Sequence, residues 1–291
     1  MGRSDHLSSV VAFPAGLSIS TAGRRPSAAQ WFFAASMIAL GVIGLVYGDF
    51  ALVWQNVPTE HVPGRQAFAY LTALIELAAG MALLVRPAAR TASGVLFGLL
   101  LLWLLLLKLP PVVLLPNMEM TWLGFGEIAV VLAGAWVLFA SLPAHRAGGA
   151  PGWLTGTGGI RVARVLFAVA LPMIGLSHFF YSEQTAALVP AWLPFRLELA
   201  YLTGAASIAT CLCVLFAIVP RLAVTLEAIM LWLITLLVWA PAIIAAPAER
   251  TPWTAFIISV AIACGAWLVA DSYQGVAWLA AGARARRLPV R

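Results

Sequence analysis

Apolar segments long enough to cross a bilayer recur from residue 28 to residue 270, separated by short polar connections. They lie at 28–53, 67–85, 92–115, 120–141, 161–181, 195–217, 221–245 and 252–270. About 17–25 apolar residues in a helix cover the hydrocarbon core, so each segment can span it. The rest of the composition leaves no soluble alternative. With 63% apolar and 10% charged residues and a mean hydropathy of +0.97, a water-soluble fold would expose large sticky patches. The expected fold class is all-α integral membrane, with eight transmembrane helices and the lipid bilayer as surrounding medium.

Residues 1–27 are polar and rich in Ser, Gly and Arg, as expected of a disordered cytoplasmic tail. Arg24 and Arg25 precede the first apolar run as they would in a secretory or twin-arginine signal. That run exceeds the ~7–15 residues of a signal-peptide core, so it is read as a membrane helix. Pro110-Pro111 and Pro241 are expected to stop or kink the third and seventh helices near one membrane face. Eight spans place both termini on the side of the second, fourth and sixth connections. Thirteen of the 17 basic residues fall on that side, and Arg65, Lys108, Arg196 and Arg250 on the other. The positive-inside rule then puts both termini in the cytoplasm and the chain in the cytoplasmic (inner) membrane. It also accounts for the pI of about 9.8 without nucleic acid. The tail at 272–291, with Arg284, Arg286, Arg287 and Arg291, can meet anionic headgroups.

A shift of 131 residues lays the chain on itself without a gap. Ile43-Gly44-Leu45 meets Ile174-Gly175-Leu176, and Pro63 and Arg65 meet Pro194 and Arg196. Tyr70-Leu71-Thr72 meets Tyr201-Leu202-Thr203, Arg90 meets Arg221, Pro110 meets Pro241 and Trp122 meets Trp253. Gly134-Ala135-Trp136 meets Gly265-Ala266-Trp267. Apolar bias produces Leu on Leu, not Pro, Arg, Tyr, Trp and Gly in one register. Two units, 28–142 and 161–271, joined by a cytoplasmic linker at 143–160, are expected to form two parallel-repeat four-helix bundles about a pseudo-two-fold axis along the membrane normal. Pro63 and Pro194 are expected at the start of the second helix of each unit, where a missing N–H costs nothing. Gly44 with Gly48 and Gly94 with Gly98 give small-xxx-small spacings suited to close helix approach.

Gly175-Leu176-Ser177-His178-Phe179-Phe180 leads into Ala187-Leu188-Val189-Pro190-Ala191-Trp192-Leu193-Pro194 and then Ala200-Tyr201-Leu202-Thr203-Gly204. This pattern, G-x-x-H-F, V-P-x-W-L-P and Y-x-T-G, resembles the DoxX-like family of small four-helix membrane proteins. The first unit fits more loosely, with Tyr47 in place of the His but Val62-Pro63 and Tyr70-Leu71-Thr72-Ala73 retained. The resemblance implies a four-helix bundle per unit. It also implies the role of a non-catalytic membrane subunit or anchor beside a redox enzyme, with quinone as the possible cofactor. A tandem pair departs from the single unit usual in that family.

Acids inside spans are costly and point to function. Glu76, Glu127 and Glu227 qualify, and their partners under the 131 shift are Ser207, Ile258 and Leu96, so none is duplicated. Such carboxyls can handle protons, bind a cation or hydrogen-bond a small polar molecule, which supports a small-molecule or proton-coupled transporter as the alternative. Protonated, they can equally bond helix to helix in a purely structural membrane protein. Glu76 and Glu127 belong to one unit and could face each other across its bundle. His178 is the only histidine within a span, so paired haem ligands are not expected; an interfacial hydrogen bond is the plainer reading.

The outer-face candidates are Arg65, Arg196, Tyr70, Tyr201 and Glu198. Each arginine follows a helix-starting proline by two residues and opposes the helix dipole, so Glu198, Glu60, Asp49 or a lipid phosphate should lie nearby. Snorkelling arginines and interfacial tyrosines are the alternative. Lys108 is expected to snorkel to the outer face. Cys211, Cys213 and Cys264 sit in apolar runs without metal or disulfide spacing. No nucleotide loop, zinc-protease motif or nucleophile elbow is present, so a self-contained enzyme is the least expected class.

Overall fold

The computed structural model describes residues 26–51, 54, 55, 57, 63–143 and 151–286. The tail before residue 26, Glu60 and the linker residues 144–150 lie outside the described residues, as do positions 287–291 with Arg287 and Arg291. Among the described residues the chain is helical, with one isolated antiparallel bridge between Ile218 and Ala281 and no strand. The long elements are α1 (Ala28–Tyr47), α2 (Arg65–Leu83), α3 (Ala89–Trp103), α5 (Glu119–Ser141), α6 (Gly156–Phe180), α8 (Arg196–Leu215), α9 (Pro220–Ile234) and α11 (Arg250–Asp271). Shorter pieces are α4 (Leu109–Leu114), α7 (Ser182–Leu188), α10 (Ala240–Ala245) and α12 (Ala283–Arg286). With α3 and α9 continued through α4 and α10, eight helices among the described residues are long and apolar enough to cross a membrane.

Local signals fix several ends. The Ser27 hydroxyl accepts from the Gln30 N–H and caps α1, which stops at Gly48 in the left-handed conformation (φ 60°). The first span therefore ends at Tyr47, not near residue 53. The chain then turns inward, burying Phe50, Ala51, Trp54 and Gln55. Pro63 and Pro194 precede their helices by two residues rather than opening them. Gly64 (φ 69°) and Phe195 (φ 57°) make the left-handed turn in between.

Pro110-Pro111 and Pro241 do not stop their helices. A π-helical turn precedes each, Leu104–Lys108 before α4 and Thr235–Trp239 before α10, and the helix then runs on to residue 114 or 245. Proline has no N–H for the fourth carbonyl back and its ring collides with it. Widening the preceding turn relieves both faults and lets the proline sit in the first turn of a new α-segment. Every described element from α2 to α5 has a counterpart beginning 131 residues later, π turns included.

The most enclosed spans are those of α5 and α11, with 72% and 67% of their most apolar 18-residue stretch buried. They cross where Gly134 meets Gly265, so closely that a Cβ on Gly134 would fall 2.6 Å from the Gly265 Cα. Around this pair, α1 packs on α2 and α11, α5 on α6 and α3, α6 on α8, and α9 on α11. The first helix of the 28–142 segment thus lies against the last long helix of the chain. The outward faces are apolar, with Val46, Leu106, Val113, Leu114 and Ile244 all more than 60% exposed, which suits lipid rather than water. On the side of the termini, arginines close helix ends. Arg90 donates to the Phe139 and Leu142 carbonyls, Arg164 to Ser272, and Arg221 to the Val276 carbonyl. The Phe139, Leu142 and Ser272 carbonyls are among those that a helix C-terminus leaves without donors, and Val276 lies in the turns that follow α11.

Candidate functional site

Glu76 sits eleven residues into α2, about 16 Å along its axis and near the middle of the span. It is 3% exposed. Its partner comes from the inturned connection rather than from another helix: Gln55 Nε2 donates to Glu76 Oε1 at 3.1 Å. Gln55 is held in turn by the Ala51 N–H, which donates to its Oε1 at 2.8 Å. Trp54 is buried alongside, and its indole N–H meets no acceptor among the described residues. A polar plug of this kind gives Glu76 a donor in a region where water is excluded.

Glu227 on α9 is 2% exposed and is served from α8. Ser207 donates to Oε1 at 2.7 Å and Thr210 to Oε2 at 3.3 Å. Further along the same span, Thr235 in the second π turn shares a 2.7 Å hydrogen bond with Ser259 of α11. Both arrangements bind helix to helix through groups that lipid cannot satisfy.

Glu127 does not meet Glu76. It lies near Lys108, each feeling the other's charge. Lys108 is 9% exposed and its amine rests beside Gly124 of α5. The expectation that Lys108 snorkels outward is thus corrected: the π turn swings it onto α5, beside Gly124 and within reach of the Glu127 charge. His178 is the third residue from the end of α6, at the level of the connections rather than mid-span. Its Nδ1 shares a 2.9 Å hydrogen bond with the Thr203 hydroxyl. Beside it Gly175 and Gly204 bring α6 and α8 so close that a Cβ on Gly204 would lie 2.6 Å from the Gly175 carbonyl oxygen.

On the side opposite the termini, Asp49 is the counter-charge of Arg65, at 2.5 Å. Arg250, from the start of α11, joins them, with 3.5 Å to the second Asp49 oxygen and a 2.7 Å bond to the Phe50 carbonyl. The guanidiniums lie over the rings of Phe50 and Tyr47. Partial burial pushes the Asp49 carboxyl up. The Arg65 hydrogen bond, the Phe50 N–H and the charges of both arginines outweigh this and hold it below its ordinary value of 3.8. Tyr70 places its hydroxyl against Gly48. The repeated position behaves differently: Arg196 and Glu198 are both exposed and form no ion pair with each other, and Tyr201 stacks on Phe179 at 5.5 Å.

Sequence reasoning missed Gln55 and Arg250 as members of these sites. Gln55 carries no periodic signal, and Arg250 reads as one more interfacial cation. Among the described residues no group of three or more His, Cys, Asp or Glu is placed to hold a metal ion. The arrangement can hold protons or hydrogen-bond a polar molecule at three separate acids, and it ties the α1–α2 connection to α11. No family model, no curated protein and no solved structure matches this chain.

Proposed function

We propose that the chain is two tandem copies of a DoxX-like four-helix unit, set about a pseudo-two-fold axis along the membrane normal. In this reading it serves as a non-catalytic membrane subunit beside a redox partner, at a quinone-linked step in the cytoplasmic membrane, with both termini cytoplasmic. The observation that carries the duplication is the meeting of Gly134 with Gly265, residues that are each other's counterpart in the 131-residue register. A residue touching its own counterpart lies on the axis relating two copies. Reciprocal pairings support it: α1 lies on α11 as α6 lies on α5, so each unit's first helix packs on the other's last. Trp122 donates to the Pro116 carbonyl and Trp253 to the Pro247 carbonyl, both at 2.9 Å, one bond made twice. Glu227 accepts a hydrogen bond from Ser207, the counterpart of Glu76, so an acid buried on α2 of one unit answers to an acid buried on α9 of the other.

Support for the subunit role comes from where the copies differ. The most apolar 18-residue stretch of the span Pro220–Ala245 is only 11% buried, against 39% for that of its counterpart Ala89–Leu114. Phe180, Trp192 and Phe195, within and beside the family-like motif, are 68–72% exposed. The second unit thus presents an open helix and an aromatic rim, fit for a partner's membrane helix. Purification in mild detergent tests this: a co-purifying dehydrogenase subunit or quinone is the expected result. A solitary chain with pH-dependent solute flux that Glu76→Gln abolishes would favour the transporter reading, for which the Gln55-plugged Glu76 is the motivating observation.

A further inference from the structure

One face of α5 carries chemistry that the subunit reading leaves unused. Glu119, Leu123 and Glu127 are spaced four residues apart and stand on the same side of that helix. Glu119 is the first residue of α5, and both of its carboxylate oxygens are buried without a hydrogen-bond donor among the described residues. Next to it, on the side opposite the termini, lies a pocket of about 490 Å³. The turn from Leu114 to Met118 forms most of its wall, and Phe180 and Tyr181 at the end of α6 line the other side of this open groove. Deeper along the face is Lys108, its amine so near α5 that a Cβ on Gly124 would come within 3.2 Å of Nζ. Glu127 feels both the Lys108 and the Glu119 charge.

The surrounding elements add little charge to this group. α4 has no ionisable residue, and Arg250 at the head of α11 is engaged by Asp49 and the Phe50 carbonyl. The end of α6 brings two titratable residues, Tyr181 on the pocket wall and His178, which is engaged by the Thr203 hydroxyl of α8. Two carboxylates and one ammonium leave one negative charge uncompensated in a low-dielectric setting, which is costly. Uptake of a single proton brings the trio to neutrality.

We propose that the pocket is the mouth of a proton-entry path running down this face. A hydronium ion in the pocket gives its proton to the Glu119 carboxylate and leaves as water. The Glu119 carboxylic acid then releases that proton, through water admitted by the pocket, to the Glu127 carboxylate beside Lys108, and returns to its anionic form. Only O–H bonds are made and broken. The two acids are eight residues apart, about 12 Å of helix rise, which two glutamate side chains and an intervening water can bridge. The pocket opens on the face opposite the termini, so the path delivers protons from that face.

The test is infrared spectroscopy on the full chain, glutamate-labelled with ¹³C and reconstituted in lipid, after a pH jump from about 9 to about 5, which brackets the range of buried carboxyls. The expected result is growth of one carboxylic C=O band that Glu127→Gln removes. Glu119→Gln should slow its appearance by roughly 100-fold, the scale of a lost proton-transfer group. Asn117→Trp, at the exposed rim, should also slow it without touching either acid, which keeps the proposal testable if an acid variant fails to fold. An unchanged rate in Glu119→Gln and Asn117→Trp would overturn the path, and so would a band that follows sodium concentration instead of pH. The readout involves neither a partner nor solute flux, so it stands or falls apart from the subunit reading.

Discussion

Asp49 holds two guanidiniums that come from distant parts of the sequence, and its worth is set by partial exposure. Its side chain is 29% exposed, so solvent screens the pairs and their combined contribution is about 1 kcal/mol. Because the carboxyl is held below 3.8 in the folded protein, that contribution is present above pH 3.8 and is lost as pH falls through the lowered folded value. Asp49→Asn should lower the unfolding temperature in detergent by a few degrees at neutral pH, and the difference from the parent should vanish in strong acid. Glu76 makes a sharper case, since its partner is buried. Glu76→Leu leaves the Gln55 amide without an acceptor and should cost about 1–3 kcal/mol, whereas Glu76→Gln should keep most of the stability. The three acids are legible in the sequence because a carboxylate within an apolar run has few explanations. Gln55 is not, since a single amide in an irregular connection follows no pattern that marks it as buried.

The spans themselves are legible to within a few residues, apart from the end of α1 and the start of α6, because hydrocarbon thickness and helix rise leave little choice of length. Their interiors are less so. A Pro-Pro pair after a leucine run reads as a stop, yet the π turn lets α3 continue into α4 and turns Lys108 toward Glu127. That choice depends on α5 offering an acid and a glycine at the right level, which only packing reveals. Glycine spacing is similarly blind to its surroundings. Gly98 belongs to a small-xxx-small pair, yet a Cβ added there would have nothing within 4 Å, whereas Gly134 abuts the backbone of α11. Gly134→Ala should therefore destabilise by about 1–3 kcal/mol through overpacking. Gly98→Ala should be neutral or stabilise by up to about 1 kcal/mol through helix propensity. Thermal unfolding of the two variants side by side checks both.

At the scale of the whole molecule, the sites depend on the eight membrane-length helices found among the described residues and on the odd connections lying together, away from the termini. Arg65, Asp49 and Arg250 meet only because the first and seventh connections share a side, and the pocket beside Glu119 joins the third to the fifth. Helix count and the 131-residue register imply this parity. The interleaving of the segments, with α1 on α11, lies beyond the sequence because apolar faces of similar composition do not name their partners. The open flank at Pro220–Ala245 likewise emerges only from packing. The most direct test is labelling of single cysteines, in a background without the native three, by a membrane-impermeant thiol reagent in intact cells and inverted vesicles. Cysteines at Asn117, Glu183 and Ala248 should react only in intact cells, and those at Arg86, Trp153 and Ile218 only in inverted vesicles. Reaction of both sets from one side, or of Asn117 and Ala248 from opposite sides, would contradict the eight-span arrangement.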